Sequence, residues 1–150
     1  MKRLLVFILL FICLFFINLN NTSYLCEIFT ESDECCLITS NKIITAKRSV
    51  KNGNCYINYL KSKTACLELN NAQTVYGETM VFNNKNLKFI TEKLQLNIVS
   101  KVIGNNGVEV LGYSKKLNDF VFVNGKIVNV QIAIFNNKIV VGHPLILQGF

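Results

Sequence analysis

From Tyr76 onward the apolar positions fall into short alternating runs, separated by turns rich in Asn and Gly and interrupted once by a stretch of helical period. Tyr76 to Phe82 alternates as a strand. Leu87, Ile90 and Leu94 then share one helical face, which Phe89 and Leu96 widen, so a helix is predicted over about 85–96 with Asn84 or Asn86 as its cap. Ile98 to Ile103 and Val108 to Ser114 read as strands around Asn105-Asn106-Gly107. Phe120 to Val123 is a short apolar run, and Asn124-Gly125 is the dipeptide of a type I′ hairpin, where both residues take positive φ. The chain returns as Lys126 to Phe135, with Val128, Val130, Ile132 and Ile134 on one face. Four β-branched residues on that face predict packing against helices or a second sheet. Asn136-Asn137-Lys138 makes another turn, and Ile139 to Leu147 returns once more. Pro144 lacks an N–H, so this last strand must lie at an edge there, bulge, or break. The predicted order from Tyr76 is β-α-β-β-β-β-β, ending in a three-strand meander.

The first half is less regular. Glu27 to Glu34 reads as a short acidic helix or a loop. Cys36 to Lys47 holds two apolar runs around Ser40-Asn41, and Lys51-Asn52-Gly53-Asn54 is a turn. Cys55 to Leu60 is apolar and aromatic enough for a strand, while Thr64 to Leu69 fits strand or helix. The fold class expected is α+β: a mostly antiparallel sheet, one clear packing helix, and a β-rich cysteine-bearing N-terminal half.

Residues 1–23 stand apart. Met1-Lys2-Arg3 is basic, Leu4 to Ile17 is an unbroken run of 14 apolar residues, and Asn18 to Ser23 is polar. This is a secretory signal in outline. As a helix the run spans about 21 Å, short of the roughly 30 Å hydrocarbon core. Its cleavage site is poor, so a membrane anchor through residues 4–17 stays open beside a cleaved signal. Residues 24–150 are then one exported domain, with a cysteine-containing part (24–70) and a β-α-β-meander part (71–150). The 150 residues carry a formal charge of +7, and from Asn41 onward the net charge is +9. A basic exported body suits an envelope protein or an anionic envelope polymer as partner, and no nucleic acid is expected.

Cys26, Cys35, Cys36, Cys55 and Cys66 all precede residue 67. In an exported chain such clustering points to disulfides. Cys55 and Cys66 flank one short excursion and are the favoured pair, and one of the vicinal Cys35-Cys36 bonds elsewhere. Zinc would need paired C-x2-C spacings, which do not occur.

No Gly-rich phosphate loop, G-x-S-x-G or H-E-x-x-H is present, so no catalytic set, cofactor or metal is assigned. His143 is the single histidine. A hydrolase would need a free thiol beside His143, or Glu78 paired with Glu109 for acid–base work. Tyr56, Tyr59, Tyr76 and Tyr113 with Lys61, Lys63, Lys115 and Lys116 suggest a basic aromatic contact strip.

The strand Val128-Asn129-Val130-Gln131-Ile132-Ala133 is similar to the Asn-x-Gln-x-Ala strand of the YwmB-like family, secreted Firmicute proteins with a fold like the TATA-box-binding protein. Gly142-His143-Pro144-Leu145, near the aromatic C-terminus Phe150, resembles that family's Gly-Thr-Pro-hydrophobic ending, with His143 in place of Thr. The resemblance covers residues 76–150 by element order and about 25 residues by motif. Residues 26–66 have no counterpart in it. It implies a fold and an extracytoplasmic compartment, not a reaction. The reading from sequence is a non-enzymatic exported or membrane-anchored interaction module of the cell envelope. An exported hydrolase and a small secreted effector are the alternatives.

Overall fold

A computed structural model of the chain describes residues 24–104 and 107–146, with the backbone alone at Ser62 and Lys63. Residues 1–23, the Asn105-Asn106 pair and the stretch from Leu147 on lie outside the described residues, as do the signal and turn readings made on them. No helix among the described residues is long and apolar enough to cross a membrane.

Eight strands form one antiparallel sheet: β1 (Glu34–Thr39), β2 (Arg48–Asn52), β3 (Cys55–Leu60), β4 (Val75–Asn83), β5 (Asn97–Gly104), β6 (Gly107–Tyr113), β9 (Val130–Phe135) and β10 (Lys138–His143). Their spatial order is β2-β3-β1-β4-β10-β9-β6-β5. β7 (Val121–Val123) and β8 (Lys126–Val128) pair as a separate hairpin. Among the described residues three helices, α1 (Leu25–Ile28), α2 (Ser62–Leu69) and α3 (Leu87–Leu94), complete the α+β fold.

Alternation along the strands builds the core. Cys35 and Leu37 of β1, Met80 and Phe82 of β4, Val110 of β6, Val130 and Ile132 of β9, and Ile139 and Val141 of β10 form one buried cluster. Leu25, Cys26, Ala65, Ile90 and Leu94 of the helices, with Phe29 just after α1, join the same cluster. Each Val, Leu, Ile, Met or Phe side chain among them contributes about 2 kcal/mol on burial. Phe29 meets Phe82 edge to face at 5.1 Å, the geometry that ring quadrupoles favour.

α3 forms where the helical period predicts it. The Asn86 side chain accepts Phe89 N–H at 2.8 Å, satisfying one orphan donor of the first turn. Gln95 takes left-handed φ/ψ and ends the helix, while Leu96 N–H bonds back to Thr91 O. Leu96 then lies over Gly112, where a Cβ would come within 2.7 Å of it. Asn124, Gly125, Asn136 and Asn137 all have positive φ, as type I′ turns require.

The C-terminal meander differs from expectation, since β7 and β8 pair outside the main sheet and β10 ends at His143. The predicted strand Lys126 to Phe135 is cut at Asn129, so β8 leaves the main sheet and only β9 stays in it. The cause is hydrogen bonding. Asn129 turns its side chain inward, accepts Ser114 N–H at 2.7 Å, and donates to Ser114 O and Leu117 O at 2.8 and 2.9 Å. At Pro144 the chain breaks: β10 is a central strand, and it stops at His143 before a cis peptide bond. Leu145 and Ile146 then fold back over Gly142, where a Cβ would lie 2.5 Å from Ile146 N. In the first half, the ambiguous Thr64 to Leu69 stretch is helical, and a strand at Arg48–Asn52 covers ground read only in part as a turn.

Candidate functional site

Glu78 points inward with Met80 and Phe82, because residues two apart on β4 share a face. It is 1% exposed. Its register partners are Leu37 on β1 and His143 on β10, so the carboxylate and the imidazole project side by side from neighbouring strands. Glu78 Oε2 accepts Leu25 N–H at 2.6 Å, and Oε1 accepts Cys26 N–H at 3.4 Å. These are opening N–H groups of α1, which no carbonyl within the helix can reach. A residue 53 positions along the chain thus caps the helix. The Cys26 side chain also touches both the Glu78 carboxyl and the Cys66 thiol.

Burial dominates the titration of this cluster. It pushes Glu78 up to about 7, although the Leu25 and Cys26 donors pull the other way. Burial lowers His143, opposed by the Asn129 carbonyl and by Asp119. His143 Nδ1 donates to that carbonyl at 2.8 Å. Tyr24 is raised by burial, then by Glu78 and Asp119. Tyr24, Tyr76, Glu78, Asp119, His143 and Pro144 rim a small depression at this end of the sheet.

Such a cluster holds one carboxyl that exchanges a proton near neutral pH, a neutral imidazole, and protonated thiols. Cys26, Cys35 and Cys66 are all pushed up, burial being the largest cause for each. At rest, therefore, none of the three is the thiolate that a hydrolytic nucleophile requires. Among the described residues no three His, Cys, Asp or Glu side chains converge as metal ligands.

Glu78 and Glu109 do not pair. Glu109 sits on β6, three strand intervals from β4, roughly 14 Å away, beyond the separation of working carboxylate pairs. Its carboxylate instead accepts Gln131 Nε2 at 2.7 Å.

No disulfide joins any two of Cys26, Cys35, Cys36, Cys55 and Cys66. The favoured Cys55–Cys66 bridge is not formed, because β3 runs straight away from Cys55 for its whole length before α2 carries Cys66. Cys55 stays at the β2–β3 turn, donating to Asn52 O at 3.0 Å. Cys36, next to inward Cys35, faces the other side of β1 and lies outside the core cluster.

The tyrosine and lysine strip divides in two. Tyr56 and Tyr59 lie on β3, three residues apart and so on opposite faces, with Lys61 and Lys63 following. The Arg48 guanidinium lies 5.5 Å from the Tyr59 ring centre. Tyr113, Lys115 and Lys116 are five strand intervals distant, roughly 24 Å. There Lys116 Nζ donates to Lys93 O at 2.7 Å.

The sequence marks Glu78, His143, Tyr76 and the cysteines as candidates, but not Tyr24, Asp119 or Asn129 beside them. Asn129 was readable in principle, since a lone amide in an apolar strand must find partners if buried. Tyr24 and Asp119 carry no such signal.

No family model matches the chain, nor does any curated protein or solved structure.

Proposed function

We propose that this chain is a non-enzymatic interaction module displayed outside the membrane, held there by its N-terminal segment if that remains uncleaved. Its partner is an extended segment of another envelope protein, which adds to the sheet as a further strand beyond β5. The observation that carries this reading is the contrast between the two sheet edges. β2, at one edge, presents Arg48 and Lys51, the charged protection usual for an unpaired strand. β5, at the other, carries one charge, Lys101, over eight residues and exposes Ile98, Val102 and Ile103, with Ile103 74% exposed. A mostly apolar unpaired edge is what strand addition uses, main-chain bonds giving affinity and alternate side chains giving choice. The buried cluster favours no hydrolase, since Glu78 caps α1 and the neighbouring thiols are held protonated. The resemblance to the YwmB-like family agrees with the compartment, as does the hydrophobic run from Leu4 to Ile17.

A photo-crosslinking residue placed at Val102 of the full chain, in the cells that make it, tests the reading. The expected result is one discrete adduct from Val102, absent from a probe at Lys51 and lost on Ile103→Lys. Equal background from both edges would overturn the docking edge. Cys55 should react with a membrane-impermeant maleimide on intact cells, and labelling only after lysis would overturn the compartment.

A further inference from the structure

α1 and α2 pack together over the β1–β4 side of the core, and each brings one cysteine to the contact. Cys26 is fully buried at the start of α1. Cys66 is half-buried on α2 and packs against the core cluster that contains Cys26. Their side chains are in polar contact, and Cys26 also touches Glu78. The other thiols are set aside by the fold. Cys36 is on the far face of the sheet, and Cys55 is at the β2–β3 turn. Cys35 lies inward on β1, buried among the strands.

We infer that Cys26 and Cys66 are an oxidation site, closed to a disulfide by a small-molecule or protein disulfide, with Glu78 receiving the Cys26 proton. The half-exposed Cys66 loses its proton to solvent and attacks one sulfur of the oxidant, releasing the first oxidant thiol. A mixed disulfide on Cys66 results. Cys26 then passes its proton to Glu78 as its sulfur attacks Cys66 Sγ, and the second oxidant thiol leaves. Two thiols have become one disulfide, and the oxidant has gained two electrons and become two thiols. Glu78 keeps its bonds from Leu25 and Cys26 N–H throughout, so the cap on α1 survives the step. The groups facing Glu78 are Cys35 from β1, His143 from β10, Glu27 from α1, and Tyr24 and Asp119 around the depression. The bridge fastens α1, which directly follows residues 1–23, to α2 and through it to the sheet. This inference does not depend on the docking edge at β5.

The test uses the full chain with Cys13→Ser, exposed to oxidised glutathione and digested after Lys, Arg and Glu. Those cuts put Cys26 on residues 4–27, Cys35 and Cys36 on 35–42, Cys55 on 52–61 and Cys66 on 64–68. The expected product links 64–68 to 4–27, with two free thiols lost per chain. Linkage of 64–68 to either other peptide, or glutathione left on Cys66 without closure, overturns the pair. Cys26→Ser should trap glutathione on Cys66. Glu78→Gln should form the mixed disulfide normally and close it slower by on the order of a hundredfold. Closure of that variant at the parent rate would overturn the role of Glu78.

Discussion

Glu78 and Asn129 do the same mechanical job in two regions of the molecule, and they do it with different chemistry. Each is a fully buried side chain that holds backbone from a distant segment. Glu78 takes two N–H groups of α1. Asn129 takes one N–H and gives to two carbonyls of the 114–117 loop. That loop is tied in turn to the end of α3, where Ser114 Oγ donates to Leu94 O at 2.6 Å. The amide is neutral and matched on both sides, so its clamp works at any pH. The carboxylate carries a charge that the interior disfavours, so its clamp answers to protons. The two regions also touch, because His143, beside Glu78 in register, donates to the Asn129 carbonyl.

The amide clamp gives the largest expected effect. Asn129→Ala strands Ser114 N–H and the carbonyls of Ser114 and Leu117 in the interior, and it loosens Leu117, which is 2% exposed. Unpaired buried groups cost about 1–3 kcal/mol each, so a loss of about 4 kcal/mol is expected. Urea unfolding at neutral pH measures it, with the loss independent of pH. A loss under about 1 kcal/mol would mean that the loop holds without its clamp.

This comparison also shows what the sequence could reveal. α3 was readable because its apolar period, its Asn86 cap and its burial agree, and Ile90 and Leu94 are fully buried as the stripe requires. The hairpins at Asn124 and Asn136 were readable because few residues tolerate their positive φ. The break at Asn129 was not, since Val128 and Val130 are both buried on either side and leave the alternation unbroken. Only the partners on the 114–117 loop make it a break. The candidate site was half legible for the same reason. Glu78 stood out as a carboxylate on an apolar strand, and His143 as the lone histidine. Their pairing depends on β10 lying next to β4, a long-range neighbour that local pattern cannot supply.

The carboxylate clamp should reveal itself through pH. Glu78 is raised from 4.5 to about 7, so the folded chain holds a proton that the unfolded chain has already released. Stability therefore falls as pH rises from about 4.5 to about 7, by roughly 3 kcal/mol from this group. Glu78→Gln keeps an acceptor for α1 and removes the charge. The variant minus parent difference in unfolding free energy should shift in favour of the variant across that window. A difference flat with pH would place the carboxyl in a wetter setting than its burial implies.

His143 should give the smallest effect, and one of opposite sign. Its folded value is lowered, chiefly by burial, so the unfolded chain takes up a proton first as pH falls below about 6.5. Stability from this group is complete above that value and declines on acidification. In the parent chain this decline offsets part of the gain from Glu78 as pH falls below about 6.5. His143→Asn keeps an N–H toward the Asn129 carbonyl without a titrating ring, so its acid-side rise in stability should be steeper than the parent's. With Glu78→Gln alone, the His143 decline should stand uncovered, and the double variant should be nearly flat. The two groups are register neighbours, so the cycle need not be additive. Its sign is fixed, however: a His143→Asn chain that loses stability relative to the parent as pH falls would mean that the imidazole is buried charged, held by Asp119 against the cost of desolvation.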